Sequence, residues 1–336
     1  MRRWSPTAPA GACCERSATV LDDVVLIVIG LGLVAKGGDL FVDSSIDIGH
    51  ALRIPRFVIG GTLVSLATTT PELVVSAMAS SVGDSGIALG NAIGSCICNI
   101  GLIIGTVALL TPVEVEKRGF VSRAAWMVSA AVLVVLFTWD RTLSRPLAIL
   151  LLAFSFAYLA WDYVGIRRGR RQAVDGESPD TSGLTRAVTL FALGAVLIVF
   201  GSRLLVDSGR SLAAALGVPS IIIGLSVVAI GTSLPELVTG VSAARKGVPD
   251  LSLGNIIGAN ILNLFLIIGM SGTINPLTLD RFTQFYSYGW LAVFFTAFIG
   301  LATTGNVHRR GGLLLLGLYV VYLAGLVVVP MIGGWI

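Results

Sequence analysis

The 336-residue sequence has few charged residues for its length. Asp, Glu, Lys and Arg together make up 12% of the chain, about half of the roughly 25% found in an average soluble domain. Hydrophobic residues account for 55%, and the mean hydropathy is +0.89. This composition predicts a polytopic membrane protein that lies in the lipid bilayer. The net charge of +4 is small and its basic residues are scattered, so we expect no nucleic-acid partner.

Cysteine and histidine are also scarce, and neither is arranged for redox or enzymatic chemistry. The four cysteines lack the spacing of a metal site or of a disulfide framework, and Cys96 and Cys98 are expected to pack as small apolar residues. The two histidines, His50 and His308, fall near the ends of apolar runs. No nucleophile–base grouping and no nucleotide-binding loop is visible. We therefore expect no enzyme, no bound cofactor and no ATP-driven pump.

Long apolar runs are what the sequence has in abundance, and runs of about 20 residues predict membrane spans. Ten are predicted, at 22–48, 55–81, 85–111, 120–139, 145–166, 185–215, 219–245, 250–275, 283–304 and 311–334. A polar linker at 167–184 separates a first half, residues 1–166 with spans 1–5, from a second half, residues 185–336 with spans 6–10.

An internal repeat links the two halves. Residues 60–105 and 224–269 align without a gap at a separation of 164 residues and are identical at about 20 of 46 positions. An odd number of spans in each half makes the second half enter the membrane in the opposite direction. The predicted fold is therefore all-α, with ten transmembrane helices in two inverted five-helix repeats.

Each repeat carries a proline that is expected to break its helix. Pro71 and Pro235 lack an N–H group and clash with the carbonyl four residues earlier. Small or polar residues surround both breaks, namely Ser65, Thr68, Thr69 and Thr70 in one copy and Ala229, Gly231, Thr232 and Ser233 in the other. Broken helices near the bilayer midplane, at corresponding places of two inverted halves, are typical of a transporter site.

One glutamate follows each proline. A carboxylate at the centre of the bilayer costs about 2.5–3.5 kcal/mol on insertion scales, so Glu72 and Glu236 together cost roughly 5–7 kcal/mol. No Lys or Arg lies at matching depth in the repeat spans, so cations from solution or protons must offset the cost. Two carboxylates with main-chain carbonyls could supply the oxygen ligands that Ca²⁺ prefers.

The second helix of each repeat offers further polar ligands. Ser95 and Asn99 are four residues apart and share a helix face, and Asn263 corresponds to Asn99. Gly90 with Gly94, and Gly254 with Gly258, form faces of small residues that allow close helix approach. Such packing would bring Asn99 and Asn263 towards the glutamates.

The distribution of basic residues predicts the orientation. The loops after odd-numbered spans hold 14 Lys and Arg residues, among them Arg123, against 8 on the opposite side. The basic side is expected to be cytoplasmic. Both termini are then extracellular, in a multi-pass protein of the cell membrane.

The two repeats resemble the cation/Ca²⁺ exchanger superfamily, in particular prokaryotic Na⁺/Ca²⁺ exchangers. The segments that carry the resemblance read ATTTPE and GTSLPE, followed by GNAIGSCICN and GNIIGANILN. The resemblance implies Ca²⁺ held by Glu72, Glu236 and the carbonyls of Thr68 and Thr232. It also implies Na⁺ sites that share Glu236 and use Ser65, Thr69, Ser95, Asn99, Ala229 and Ser233. Spans 1 and 6 would slide across the rest to expose the site to each side in turn.

The sequence departs from the superfamily pattern at a few positions. Ala67 replaces a glycine, Ala259 stands where the second copy has a serine, and Asn263 is an aspartate in some relatives. The asparagine favours a K⁺-independent exchanger. The missing hydroxyl at Ala259 leaves Ca²⁺/H⁺ exchange as an alternative, because protons do not need hydroxyl or amide ligands. A membrane receptor or scaffold that transports nothing is the alternative of another class.

Overall fold

The computed structural model describes residues 11–172, 183–215 and 229–333, and most of these residues are helical. The helices are α1 Gly11–Leu52, α2 Arg56–Thr68, α3 Thr70–Ser81, α4 Ser85–Leu110, α5 Lys117–Phe137, α6 Arg145–Gln172, α7 Leu184–Ala215, α8 Ala229–Thr232, α9 Leu234–Arg245, α10 Pro249–Ile274, α11 Thr283–Thr303 and α12 Arg309–Gly333. Four short strands are β1 Val113–Glu114, β2 Thr142–Leu143, β3 Leu277–Thr278 and β4 Asn306–Val307.

The described helices are those of a multi-span membrane protein, as the composition predicts. Eight of them are long and apolar enough to cross a membrane, and the bent pair α2–α3 makes a ninth. The span predicted at 219–245 begins outside the described residues, and only its later part is seen, as α8 and α9. The predicted linker at 167–184 falls mostly outside them, while α6 continues as far as Gln172.

Helices α4 and α10 lie at the centre of the bundle. The most apolar stretch of α10 is 100% buried and that of α4 is 72% buried, whereas no other candidate span exceeds 33%. Gly254 and Gly258 allow α10 to approach α2 closely, because a Cβ on either residue would collide with the α2 backbone. Gly90 and Gly94 of α4 correspond to Gly254 and Gly258.

The predicted helix breaks occur at corresponding positions. The axis turns by 43° between α2 and α3, at Thr69, whose φ and ψ are −79° and −3°. Ser233, which corresponds to Thr69, separates α8 from α9 with φ and ψ of −90° and 8°. Pro71 and Pro235 lie in the first turns of α3 and α9, where a helix does not need the missing N–H.

Helices α1 and α7 pack closely against each other. A Cβ added to Gly37 would lie 3.0 Å from the carbonyl oxygen of Gly194, and one added to Gly201 would lie 2.9 Å from that of Gly30. The 164-residue correspondence exchanges these two contacts, since Gly30 corresponds to Gly194 and Gly37 to Gly201. Glycine at all four positions therefore lets the two backbones touch.

The strands join the two halves in two small antiparallel sheets. β1 pairs with β4, with Val113 opposite Val307, and β2 pairs with β3, with Leu143 opposite Leu277. The 164-residue correspondence converts β1 into β3 and β2 into β4, so the two sheets are equivalent. Two-residue strands are too short to leave an alternating pattern in a sequence, and they were not predicted.

The interpretation of Arg123 as a loop charge is wrong. Arg123 lies within α5, is buried, and forms an ion pair with the buried Asp162 of α6. Its guanidinium also lies 5.0 Å from the centre of the Phe57 ring and 5.8 Å from that of Trp161. Burial of the arginine is possible because its charge is paired. The predicted excess of basic residues on one side is reduced by one but keeps its sign.

Candidate cation-binding site

Glu72 and Glu236 lie in the first turns of α3 and α9, directly after the two helix breaks. Both residues are only 1% exposed, and their carboxyl groups are close enough to interact electrostatically. None of their four carboxylate oxygens has a hydrogen-bond partner among the described residues. Buried carboxylates without partners are strongly unfavourable, so this pair requires cations or protons.

Hydroxyl groups of each half of the chain lie beside the glutamate of the other half. The Ser233 side chain lies beside the carboxyl group of Glu72. The side chains of Thr68 and Thr69 lie beside the carboxyl group of Glu236. The two breaks therefore contribute to a single site, in which each half surrounds the acid of the other.

Two further hydrogen bonds cross between the halves in the same way. The Thr68 hydroxyl donates to the side-chain oxygen of Asn255 at 3.2 Å, and the Thr232 hydroxyl donates to that of Asn91 at 3.0 Å. Asn91 also donates to the main-chain carbonyl of Glu72 at 3.2 Å. Both threonine hydroxyls are therefore turned towards asparagines of the other half.

The two halves differ at one pair of hydroxyl groups. The Ser233 hydroxyl donates to Ser95 at 3.3 Å. Thr69 corresponds to Ser233, but Ser95 corresponds to Ala259, which has no hydroxyl. The buried Thr69 hydroxyl accordingly has no hydrogen-bond partner among the described residues. The Ala259 departure thus leaves one more unsatisfied oxygen beside Glu236.

Asn99 and Asn263 begin corresponding π-helical segments of α4 and α10, Asn99–Ile104 and Asn263–Ile267. Such segments inside α-helices are frequent at functional sites. Asn99 donates to the Asn260 side chain at 3.0 Å, and its oxygen is unpaired among the described residues. Both polar atoms of the buried Asn263 side chain are unpaired there as well. Neither amide donates to a glutamate carboxylate.

The remaining predicted ligands lie on α2 and α8. Ser65 is fully buried on α2, and its hydroxyl donates to the Thr62 carbonyl at 3.0 Å. Ala229, the corresponding residue, begins α8, so its main chain is placed one turn before the second break. Thr70 lies away from the site, because its exposed hydroxyl donates to the carbonyl of Leu66.

A cavity of about 180 Å³ reaches the two helix breaks from the side of α7. Pro71 of α3 lines it together with Thr232 and Pro235, which lie on either side of the second break. Ser202 and Asp207 of α7 line it as well. Thr232 is half-buried, whereas its counterpart Thr68 is buried. The described residues are therefore more open on the α7 side of the site.

Some site residues were not found from the sequence. Asn91 and Asn255 are expected from the sequence to pack helices or to bond to the backbone, and Asn91 does donate to the Glu72 carbonyl. Their bonds to threonines of the other half were not predicted. Cys96 and Cys98 are buried free thiols, and Cys98 lies beside Ser233. Asn260, the partner of Asn99, corresponds to Cys96 in the first repeat. Comparison of the two repeats therefore does not identify Asn260 as a site residue.

Comparison with known proteins agrees with this geometry. The family model described as sodium/calcium exchanger protein matches residues 23–164 and again residues 186–328. The chain is 34% identical to the sodium/calcium exchanger MaX1 of Methanosarcina acetivorans, over 89% of this chain and 97% of that protein. It is 33% identical to the inner membrane protein YrbG of Escherichia coli, over 89% and 95% of the two chains.

A solved structure of the sodium-calcium exchanger NCX_Mj has a similar fold. The two structures superpose with a TM-score of 0.79 at 30% sequence identity, over 91% of this chain and 99% of the other. The match to the family model covers most of both halves of the chain, and each half contributes one helix break and one buried glutamate. The chain therefore belongs to the sodium/calcium exchanger protein family.

Proposed function

We propose that this chain is a secondary antiporter that exchanges Na⁺ for Ca²⁺ across a membrane. The observation that carries the proposal is the buried pair Glu72 and Glu236, whose four carboxylate oxygens have no hydrogen-bond partner in the described part of the chain. If the pair had only a structural role, nothing would offset the free-energy cost of burying two charged carboxylates. Exchangeable cations remove that cost without fixing the protein in one state.

The proposed Ca²⁺ site consists of the two carboxylates and the main-chain carbonyls of Thr68 and Thr232. These are hard oxygen donors, and with water molecules they can reach the 6–8 ligands that Ca²⁺ takes. The hydrogen bonds from the threonine hydroxyls to Asn255 and Asn91 support this arrangement, because they fix both threonines at the breaks.

The proposed Na⁺ ligands surround the same two glutamates. They are Ser65, Thr69, Ser95, Asn99, Ala229, Ser233 and Asn263. The unpaired atoms of Thr69, Asn99 and Asn263 support ligand roles, since each is a buried polar group that needs a partner. Two carboxylates cannot neutralise Ca²⁺ and a full set of Na⁺ ions together. The site is therefore expected to carry one kind of ion at a time.

The proposed architecture is ten spans in two inverted halves, residues 1–166 and 185–336, joined by a cytoplasmic linker at 167–184. The same family model matches twice, once in each half, which supports the duplication. The equivalent sheets β1–β4 and β2–β3 support a two-fold relation between the halves. In the cell membrane both termini are proposed to be extracellular, on the basis of the basic loops.

Alternating access is proposed to come from α1 and α7, spans 1 and 6, which slide together across the other helices. The four glycines at their contact support movement as a unit, because they join α1 to α7 more closely than to other helices. Movement of this unit would close the cavity on one side of the site and open one on the other.

The test is Ca²⁺ uptake into proteoliposomes that are loaded with Na⁺. Radioactive Ca²⁺ should accumulate when Na⁺ is present inside only, and uptake should stop when external Na⁺ is raised to the same concentration. The Glu116→Gln variant, which removes an exposed acid outside the site, is the matched control and should transport normally. Uptake that is indifferent to the Na⁺ gradient would refute the proposal.

Ca²⁺/H⁺ exchange is the second candidate, and Ala259 is the observation that favours it. Ala259 is fully buried and lacks the hydroxyl group of a serine. Na⁺ would use such a hydroxyl as a ligand, whereas protons would not need it. Proteoliposomes prepared without Na⁺ and given a proton gradient distinguish the two candidate functions. Uptake driven by protons alone would favour this second function.

A further inference from the structure

Polar contacts attach α1 to α9 at one end of the bundle. Lys246, directly after α9, lies 2.7 Å from the Asp43 carboxylate and 3.9 Å from that of Asp39. The Ser242 hydroxyl donates to Asp39 at 2.9 Å. We call these four residues, Asp39, Asp43, Ser242 and Lys246, the latch.

The backbone of α1 is also close to α9 at the latch. A Cβ added to Gly38 would lie 2.7 Å from a methyl carbon of Val238. Ser202 of α7 corresponds to Gly38, and it lines the cavity between α7 and α3. Its buried hydroxyl has no hydrogen-bond partner in the described ranges. The α1–α7 pair therefore lies close to α9 at the latch, whereas a cavity lies between part of α7 and α3.

The counterpart of the latch cannot form. Asp39 and Asp43 correspond to Arg203 and Asp207 of α7, which still carry charges. Ser242 and Lys246, however, correspond to Met78 and Val82, whose exposed apolar side chains cannot pair with a charge. Arg203 and Asp207 form no ion pair within the part of the chain that the structure describes. The repeat thus supplies a latch at only one of two equivalent places.

We propose that the latch stabilises one of the two access states, the one whose cavity is open on the α7 side, and so slows the change to the other. The inference rests on the proposed exchange function, because it needs α1 and α7 to slide. If the halves exchange roles, α7 approaches α3 while α1 leaves α9. That movement breaks the contacts of Lys246 and Ser242, and Met78 and Val82 offer none in return.

Thr239 provides a direct measure of the opposite state. Its side chain is fully buried, yet its counterpart Val75 lines the cavity on the α7 side. In the opposite state Thr239 should line the equivalent cavity. A Thr239→Cys variant in detergent, free of Na⁺ and Ca²⁺, is treated with a maleimide, and labelling at residue 239 is followed by peptide mass spectrometry.

Three additional substitutions test the latch in that background. Lys246→Met breaks the ion pairs and keeps the side-chain length, and it should raise the labelling rate at residue 239 about fivefold, the upper range for exposed ion pairs. Arg245→Met removes a neighbouring exposed charge that is in no ion pair within the described residues, and it should leave the rate unchanged. Val82→Lys offers Asp207 a partner, so it builds the missing counterpart and should also raise the rate.

The charge-exchanged variant Lys246→Asp with Asp43→Lys guards against a folding defect, and it should return labelling towards the slow rate. Equal labelling in the Lys246→Met and Arg245→Met proteins would overturn the latch. So would a Val82→Lys protein that labels as slowly as its parent. Labelling needs no gradient, so this outcome is independent of Na⁺-driven Ca²⁺ uptake, whose absence would instead refute the proposed function.

Discussion

The Thr68 hydroxyl donates a 3.2 Å hydrogen bond to the side-chain oxygen of Asn255, which lies 187 residues later in the chain. Thr232 and Asn91 repeat this bond in the opposite sense. Each helix break is therefore tied to the central helix of the other half. The arrangement fixes the distance between the breaks, and with it the separation of the two glutamates that follow them.

Replacement of Thr68 by valine, compared with a control substitution, distinguishes the effect of losing this hydrogen bond from the effect of losing any threonine hydroxyl. Thr68→Val removes the donor to Asn255 and is expected to lower the free energy of unfolding by about 0.5–1.5 kcal/mol. It should also weaken Ca²⁺ binding, because the Thr68 carbonyl is less well positioned. Thermal unfolding and Ca²⁺ titration measure the two effects.

Thr70→Val is the matched control for that experiment. The Thr70 hydroxyl donates to the Leu66 carbonyl within its own helix pair and is exposed, so its loss should change neither stability nor Ca²⁺ affinity appreciably. Equal effects of the two substitutions on Ca²⁺ affinity would contradict the role that we assign to the contact with Asn255.

The carboxylate pair makes a prediction about stability as well as transport. Glu72→Gln and Glu236→Gln should each abolish exchange, because the site loses the charge that balances Ca²⁺. In the parent protein, Ca²⁺ at a hundred times its Kd should stabilise the fold by about 2.7 kcal/mol. Either glutamine variant should lose this stabilisation. Thermal unfolding with and without Ca²⁺ tests it.

Stability without cations gives the complementary result. Each glutamine removes a buried charge that no described residue neutralises, so neither variant should be less stable than the parent in cation-free buffer. A clear loss of stability there would mean that the glutamates hold the fold together. The interpretation of the pair as a cation site would then fail.

The sequence was informative where the repeat and the chemistry coincide. Pro71 and Pro235 predicted the helix breaks, because a proline removes one helical hydrogen bond and clashes with the carbonyl four residues earlier. The breaks lie at Thr69 and Ser233, two residues before these prolines. The glutamates were predicted to be buried because each lies inside an apolar run, and both are.

The features that were missed depend on contacts between distant segments. Arg123 sits near the start of an apolar run and resembles a loop charge, and only the fold brings Asp162 to it. The bond between Asn99 and Asn260 joins two central helices whose relative rotation no periodicity determines. The latch likewise pairs α1 with the end of α9, more than 200 residues apart.

Ala259→Ser restores the hydroxyl that the second half lacks. A serine there would give the unpaired Thr69 hydroxyl the partner that Ser95 gives Ser233. One added ligand or hydrogen bond of about 0.5–1.5 kcal/mol should raise the apparent Na⁺ affinity roughly two- to tenfold. Ca²⁺ affinity should change less, because the proposed Ca²⁺ ligands do not include this position.

The measurement is inhibition of Ca²⁺ binding by increasing Na⁺, compared among the parent protein, Ala259→Ser and Ser95→Ala. The last variant removes the hydroxyl that the first half has, so it should weaken Na⁺ binding. An Ala259→Ser protein with unchanged Na⁺ affinity would show that the hydroxyl at this position does not contribute to Na⁺ binding.

The glycine contacts between α1 and α7 predict a selective effect of one methyl group. Gly37→Ala places a Cβ about 3 Å from the α7 backbone, and relief of that crowding is expected to cost about 1–3 kcal/mol of stability. Exchange should slow because the two helices no longer move together. Gly32→Ala on the same helix has no atom within 4 Å of its new Cβ and should be harmless.

The buried ion pair between Arg123 and Asp162 allows a double-mutant test of the packing beside α2. Arg123→Leu leaves the buried Asp162 without its partner and should destabilise the protein by about 3–5 kcal/mol. Arg123→Leu combined with Asp162→Leu removes both charges and should recover most of that loss.

The same double variant also tests whether the two charges affect Ca²⁺ binding. Tyr158 of α6 donates a 3.0 Å hydrogen bond to the Gly61 carbonyl of α2, next to Arg123. In the double variant this bond remains, so α2 keeps its hydrogen bond to α6. Ca²⁺ affinity should therefore stay within about threefold of the parent value, well under one kcal/mol. Full loss of Ca²⁺ binding in a stable double variant would instead mean that the charges of Arg123 and Asp162 act on the cation site directly.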